Sequence, residues 1–183
     1  VKGKEPQRLH SIKRHNLDIP YIYVNATGMQ NSGKNVVLFD GGSVVVHGEK
    51  VYELSHDFQE SVEIVDVTNF VSKTQKSESK LYHALLHAIR TFDEETWSYG
   101  PKGIVGVSGG LDSSVTVSLL AHALGKDRVI GVTMPSSFTR DITKNNAYHL
   151  AEKLGIQFME IPIGDMVDAT VSSLNQGGYE KVE

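Results

Sequence analysis

Hydrophobic positions along the chain follow two rhythms, and the change between them falls near residue 70. Before it, short runs rich in β-branched and aromatic residues recur: Tyr21-Ile22-Tyr23-Val24, Val36-Val37-Leu38-Phe39 and Val44-Val45-Val46. Val51-Tyr52-Glu53-Leu54 and Val62-Glu63-Ile64-Val65-Asp66-Val67 alternate with the period of two of half-buried strands. Turn residues at 31–35 (Asn-Ser-Gly-Lys-Asn), at Asp40-Gly41-Gly42-Ser43 and at Gly48 separate these runs. The pattern predicts at most five short strands and little helix, too little to close a core alone.

Residues 68–79 turn polar and rich in Ser, Thr and Lys, which predicts a linker. After it, Leu81, Leu85, Ile89 and Phe92 are spaced four, four and three apart, so a helix with one apolar stripe is expected, ended by Gly100, Pro101 and Gly103. Trp97 and Tyr99 would seat the end of that helix. Ile104-Val105-Gly106-Val107 reads as a buried strand, followed by a Ser-Gly-Gly turn and a helix through Ala123. Arg128–Met134 predicts a second strand stopped by Pro135, and Asp141–Leu154 a helix closed by Gly155. Phe158–Ile163 reads as a third strand and Met166–Leu174 as a further helix. Strands alternating with helices of this length imply βαβ units and a parallel sheet. The domain organisation expected is therefore 1–67, a linker at 68–79, and 80–183.

The chemistry concentrates in Gly106-Val107-Ser108-Gly109-Gly110-Leu111-Asp112-Ser113-Ser114, between a strand and a helix at the strand's carboxyl end. Open α/β sheets bind their ligands there. Adjacent glycines let the backbone approach a ligand and take positive φ. The free N–H groups and dipole of the following helix favour an anion, and three serine hydroxyls add donors. Asp112 is the odd residue, since a carboxylate beside phosphates is repelled unless a cation intervenes. It is a candidate Mg²⁺ ligand; capping of the helix is the plainer alternative. The loop lacks the Gly-Lys-Ser/Thr ending of a Walker loop, and its glycines have the wrong spacing for the dinucleotide fingerprint.

Charge and composition narrow the partners. Lys+Arg 18 against Asp+Glu 22 gives a net charge of -4, the wrong sign for phosphate-driven nucleic-acid binding. The basic run from Lys2 to Arg14 reads as a solvated surface segment. With no cysteine, this chain has no disulfide, thiolate metal site or cysteine nucleophile, and it suits a reducing, cytoplasmic setting. No apolar run nears the ~18 residues of a membrane span. The Val-Lys-Gly-Lys-Glu-Pro beginning, with no starting Met or signal core, suggests a start partway through something. His83 and His87 share a helix face, but lack a third ligand and read as surface or packing residues.

Ser108-Gly109-Gly110-Leu111-Asp112-Ser113-Ser114 resembles the Ser-Gly-Gly-x-Asp-Ser-Ser signature of N-type ATP pyrophosphatases without departure. Met134-Pro135-Ser136-Ser137-Phe138-Thr139, then Thr143, Asn146, Ala147 and Leu154-Gly155-Ile156, is similar to a stretch of bacterial NAD synthetases. Phe138 stands for the usual Tyr, Thr139 and Thr143 for Ser, and Asn146 for Asp; the last replacement loses a carboxylate. Tyr23-Val24-Asn25, Gly28 and Phe39–Ser43 look like the latter part of a nitrilase-type glutaminase, which precedes the synthetase in two-domain members. Lys4 and Arg8 fall near basic positions of such chains, and Asn25 and Ser43 read as turn formers.

The resemblance implies a partial doubly wound α/β sheet of the adenine-nucleotide alpha-hydrolase type. Ahead of it stand the trailing strands of a nitrilase-like α/β/β/α domain. It implies an ATP-dependent ligase of NAD biosynthesis that amidates deamido-NAD through an adenylate, releasing AMP and pyrophosphate. Ammonia would come from glutamine in the full-length, homo-oligomeric enzyme. ATP would lie on Gly106–Ser114 with Met134 near adenine, and Mg²⁺ on Asp112. The glutaminase Glu, Lys and Cys would lie upstream, and Glu180–Glu183 stops where the Glu-Asn-x-Gln-Ala-Arg-x-Arg motif would begin, so the chain is expected to be an incomplete piece with no activity alone. Two alternatives stay open: a tRNA-modifying ligase of the same class, or a non-catalytic nucleotide-binding fragment.

Overall fold

A computed structural model describes residues 4–15, 18–31, 35–54, 58, 60–74 and 80–177. The chain separates into two compact units, Val1–Ala88 and Ile89–Glu183.

In the first unit, α1 (Lys4–Arg14) precedes five strands: β1 (Tyr21–Tyr23), β2 (Thr27–Asn31), β3 (Val36–Asp40), β4 (Val44–His47) and β5 (Lys50–Glu53). β1, β4 and β5 form an antiparallel sheet, with Tyr21 opposite Val46 and Val44 opposite Glu53. Val44, Val46 and Val51 form its buried cluster, and Leu9 and Ile12 of α1 pack against it with Tyr23. The basic segment is therefore not simply solvated. Two apolar residues three apart seat it as a helix, with Lys13 and Arg14 exposed.

β2 and β3 form a separate antiparallel pair, with Thr27 opposite Asp40 and Asn31 opposite Val36. The middle of the turn expected between them, 32–34, lies outside the described residues. The strand expected at 62–67 does not form. Val62 is 96 % exposed, because alternation marks a face that wants burial but supplies no neighbouring strand. Lys73, from the expected linker, joins the sheet instead. Its N–H donates to the Val51 carbonyl (2.9 Å) and its carbonyl accepts from Glu53 N–H (2.8 Å). Residues 75–79 of that linker lie outside the described residues.

α2 (Lys80–Thr96) forms where its periodicity predicts, but the stripe Leu81, Leu85 and Phe92 is exposed and Leu86 is the buried residue. Trp97 and Tyr99 do not seat the helix end. Both are exposed and meet each other edge-on at 6.0 Å.

The second unit alternates strand and helix: β6 (Gly103–Gly106), α3 (Leu111–Leu124), β7 (Val129–Thr133), α4 (Asp141–Leu154), β8 (Gln157–Glu160) and α5 (Gly164–Gln176). The three strands are parallel in the order β6-β7-β8, with Ile104 opposite Ile130 and Gly131 opposite Phe158. β8 ends earlier than the expected Ile163, and Ile163 instead sits at the N-cap of α5.

One sheet face carries Val105, Val129 and Phe158, and onto it pack Val117 and Ala121 of α3 with Ala147 and Ala151 of α4. Small helix residues allow this close seating. Gly131 is needed beneath Phe158, since a Cβ there would lie 2.8 Å from the ring. The opposite face bears Ile104, Ile130, Val132 and Met159; Ile104 is 72 % exposed and Met159 is exposed too.

Candidate functional site: the loop between β6 and α3

Parallel pairing brings the carboxyl ends of β6 and β7 side by side, and the ladder runs one residue past β6, with Val107 N–H donating to Val132 carbonyl at 2.7 Å. The Val107 side chain belongs to the core, which leaves only its backbone to a ligand. The chain then turns through Ser108 and Gly109 and enters α3 at the N-cap Gly110, whose φ of -83 is ordinary.

Gly109 is different. Its φ is +81, and a Cβ there would fall 1.8 Å from the carbonyl oxygen of Thr143 in the first turn of α4. The loop thus rests its backbone directly on α4.

Serine hydroxyls knit the turn. Ser113 Oγ accepts from Ser108 N–H (3.2 Å) and donates to Gly110 carbonyl (3.2 Å), with Ser108 Oγ at 3.1 Å. Ser114 Oγ also donates to Gly110 carbonyl, at 2.7 Å. No side chain caps α3 at Gly110, so its first-turn N–H groups and positive dipole end face outward. Asp112 lies in that first turn, exposed, and it is not the N-cap. Met134 follows β7, and its Cε would be 3.6 Å from a Cβ on Gly106, so the thioether lies over the strand end.

Other residues singled out in the sequence lie in the first unit, outside this loop. His87 stacks on Phe58 at 5.5 Å and His83 meets Tyr82 at 5.6 Å. Among the described residues no group of three or more His, Cys, Asp or Glu is placed to hold a metal. Asn25 N–H donates to Ser43 Oγ (3.0 Å), and Arg8 lies over the Tyr23 ring at 4.5 Å. The side chain of Lys4 lies outside the described residues.

The loop after β7 is self-braced: Thr139 Oγ1 accepts from Ser136 N–H at 3.0 Å. Phe138 is exposed, while Ala147, on the buried face of α4, is fully buried.

Two features escaped the sequence. One is the seat of Gly109 on Thr143. The other is Glu160 at the end of β8, which accepts from Lys144 Nζ at 2.8 Å and from the Tyr148 hydroxyl. Both helix donors hold its carboxyl below the usual carboxylate range, Lys144 most and then Tyr148. The spacing of Lys144 and Tyr148 is visible as one helix face; their meeting with Glu160 requires the topology.

The family model of NAD synthase matches residues 82–183. The chain belongs to the NAD synthase family. A glutamine-dependent NAD(+) synthetase of Synechocystis is 34% identical over 168 residues, covering 86% of this chain and 29% of that protein. An NH(3)-dependent NAD(+) synthetase of Methanosarcina mazei is 43% identical over 83 residues, 44% of this chain and 32% of its own length. Among solved structures, the glutamine-dependent NAD+ synthetase of Acinetobacter baumannii, in complex with adenosine diphosphate, superposes with a TM-score of 0.84 at 26% identity. That match covers 99% of this chain and 36% of the other. The chain spans about a third of the length of these NAD synthases. The mixed α/β architecture with its parallel sheet is that of the NAD synthetase structures. Among the described residues no helix is long and apolar enough to cross a membrane.

Proposed function

We propose that this chain is the central part of a glutamine-dependent NAD synthetase and that its β6–α3 loop binds ATP. One observation carries the reading: a glycine and serine turn delivers the chain to an uncapped helix N-terminus at the carboxyl end of a parallel strand, in a chain of this family. In this reading residues 1–67 close a nitrilase-like glutaminase domain, 68–79 link, and 80–183 open the ATP pyrophosphatase domain. The active enzyme would be a cytoplasmic homo-oligomer.

The reaction runs in two steps. A carboxylate oxygen of deamido-NAD attacks the α-phosphorus of ATP, the Pα–O–Pβ bond breaks, and pyrophosphate leaves with the electron pair. Ammonia, released from glutamine, then attacks the acyl carbon, forming the C–N bond of the amide as the C–O bond to AMP breaks, AMP leaves with the electron pair and a proton is released.

The loop does no covalent chemistry. The N–H groups of Leu111, Asp112 and Ser113 in the first turn of α3, with the end of its dipole, stabilise the charge that gathers on pyrophosphate. Gly109 and Gly110 keep the backbone free of side chains where the phosphates lie, and Met134 offers an apolar surface to adenine. The exposed carboxylate of Asp112 suits Mg²⁺, which takes one or two carboxylates and completes its shell with phosphate and water. Mg²⁺ when bound neutralises phosphate charge; Asp112 fixes where it sits.

The test is pyrophosphate release by the full polypeptide supplied with ATP, deamido-NAD and ammonia. Release that needs Mg²⁺ and vanishes in Asp112→Asn is expected. Release untouched by the substitution would sink the assignment of Asp112, and no release by the unaltered enzyme would sink the function.

A further inference from the structure

We propose that Glu160 is a positioning residue for the phosphate loop, acting through α4. The inference rests on the reading of Ser108–Ser114 as the ATP loop and assigns that loop a support outside its own sequence.

The loop cannot choose its own height. Gly109 lies so near the Thr143 carbonyl that a methyl group has no room, so the position of the first turn of α4 sets the position of the loop. The Arg140 side chain at the N-cap makes no cap hydrogen bond, and the bond from Thr143 Oγ1 to the Arg140 carbonyl (2.7 Å) braces the turn only within α4, tying it to no other element. Its fixture lies across the sheet edge. Lys144, next to Thr143, donates to Glu160 Oε1 at 2.8 Å. Tyr148, one turn further on the same face, donates its hydroxyl to Oε2. Each carboxylate oxygen therefore holds a different turn of α4.

Glu160 itself is held by the sheet. It stands opposite Thr133 in the β7–β8 register, and the N–H of the next residue, Ile161, donates to the Thr133 carbonyl at 2.9 Å. The Tyr148 ring meets Phe158 edge-on at 5.0 Å, and Phe158 lies over Gly131. A rigid path thus runs from the β7–β8 pair through Glu160 to Lys144, Thr143 and Gly109. Only about a quarter of the Glu160 side chain and a third of that of Lys144 are exposed, so the pair is partly shielded from solvent screening.

A residue that merely stabilised the fold would lower the melting temperature and leave the folded loop unchanged. A positioning residue alters the loop in protein that is still folded. The experiment uses the whole chain as wild type, Glu160→Gln, Tyr148→Phe and the reversed pair Lys144→Glu/Glu160→Lys. Mg²⁺–ATP binding is measured by calorimetry, and the amide resonances of Gly109 and Gly110 are followed without nucleotide, with Gly125 and Gly177 as remote controls. In Glu160→Gln, ATP binding about fivefold weaker is expected, with the two loop glycines displaced and the controls still. Tyr148→Phe gives a smaller change of the same kind, and it decides the matter should Glu160→Gln fail to fold. The reversed pair recovers affinity.

Loop resonances that stay put in both folded variants overturn the proposal, whatever ATP does. Displaced resonances with unchanged ATP affinity overturn it too. A wild-type chain that binds no Mg²⁺–ATP overturns the ATP-loop reading instead and takes this role with it.

Discussion

Replacement of Gly109 by alanine tests the site at its tightest point. The residue has φ +81, where an L side chain costs about 1–3 kcal/mol. The new methyl would also lie 1.8 Å from the Thr143 oxygen, a backbone atom with no flexible side chain to yield. Real Cβ contacts essentially never fall below 3.0 Å, so the loop or the first turn of α4 must retreat by more than an ångström. Overpacking of a fitted interior adds about 1–3 kcal/mol. Together these give roughly 2–6 kcal/mol, which for a unit of this size lowers the melting temperature by about 10 °C or more.

Gly110→Ala is the matched control. Its φ is -83, and a Cβ there meets only Ser108 Oγ at 3.4 Å, so its cost stays within about 1 kcal/mol. The sole tryptophan, Trp97, lies in the second unit, so urea unfolding followed by its fluorescence reports on that unit alone. Near-equal midpoints for the two variants would refute the seating of Gly109 on α4.

Val117, with no exposed surface, anchors α3 to the sheet, and Val117→Ala is expected to cost about 2–3 kcal/mol in the same urea titration. Acid should also act through Glu160. Its carboxyl is held below its ordinary 4.5 in the folded chain, by Lys144 first and then Tyr148, so its contribution is complete above that value and is lost as pH falls through the lowered one. Melting temperatures taken from about pH 7 to 3 should therefore converge for wild type and Glu160→Gln at the acid end; curves that stay parallel would refute it.

The second unit was the more legible part. Asp141–Leu154 could be bounded to the residue, because Gly155 in the left-handed region closes the helix and an acidic residue opens it. β6 and β7 were readable from the short apolar runs Ile104-Val105 and Val129-Ile130 between turn residues, whereas β8, Gln-Phe-Met-Glu, lacks such a run and ends earlier than expected. The first unit was less so. β2, Thr-Gly-Met-Gln-Asn, has no strand-like composition and exists because β3 pairs with it along its whole length. Val62 and Ile64 show the converse, a strand pattern with no strand beside it. Within the site, Ser108–Ser114 was legible as a local string. The Glu160 support was not, because it joins residues sixteen and twelve apart that only the β8–α4 arrangement brings together.

The sheet face that turns Ile104 and Met159 outward bears on how the chain behaves in a test tube. Its protection against clumping is electrostatic, and the reserve is small: a formal charge of -4 at pH 7. That charge reaches zero at the isoelectric point of about 6.1. Mutual repulsion then disappears while the oily face stays in water, so the chain precipitates first in mildly acidic buffer. Slightly alkaline solutions of low ionic strength are the ones in which it keeps its colloidal stability.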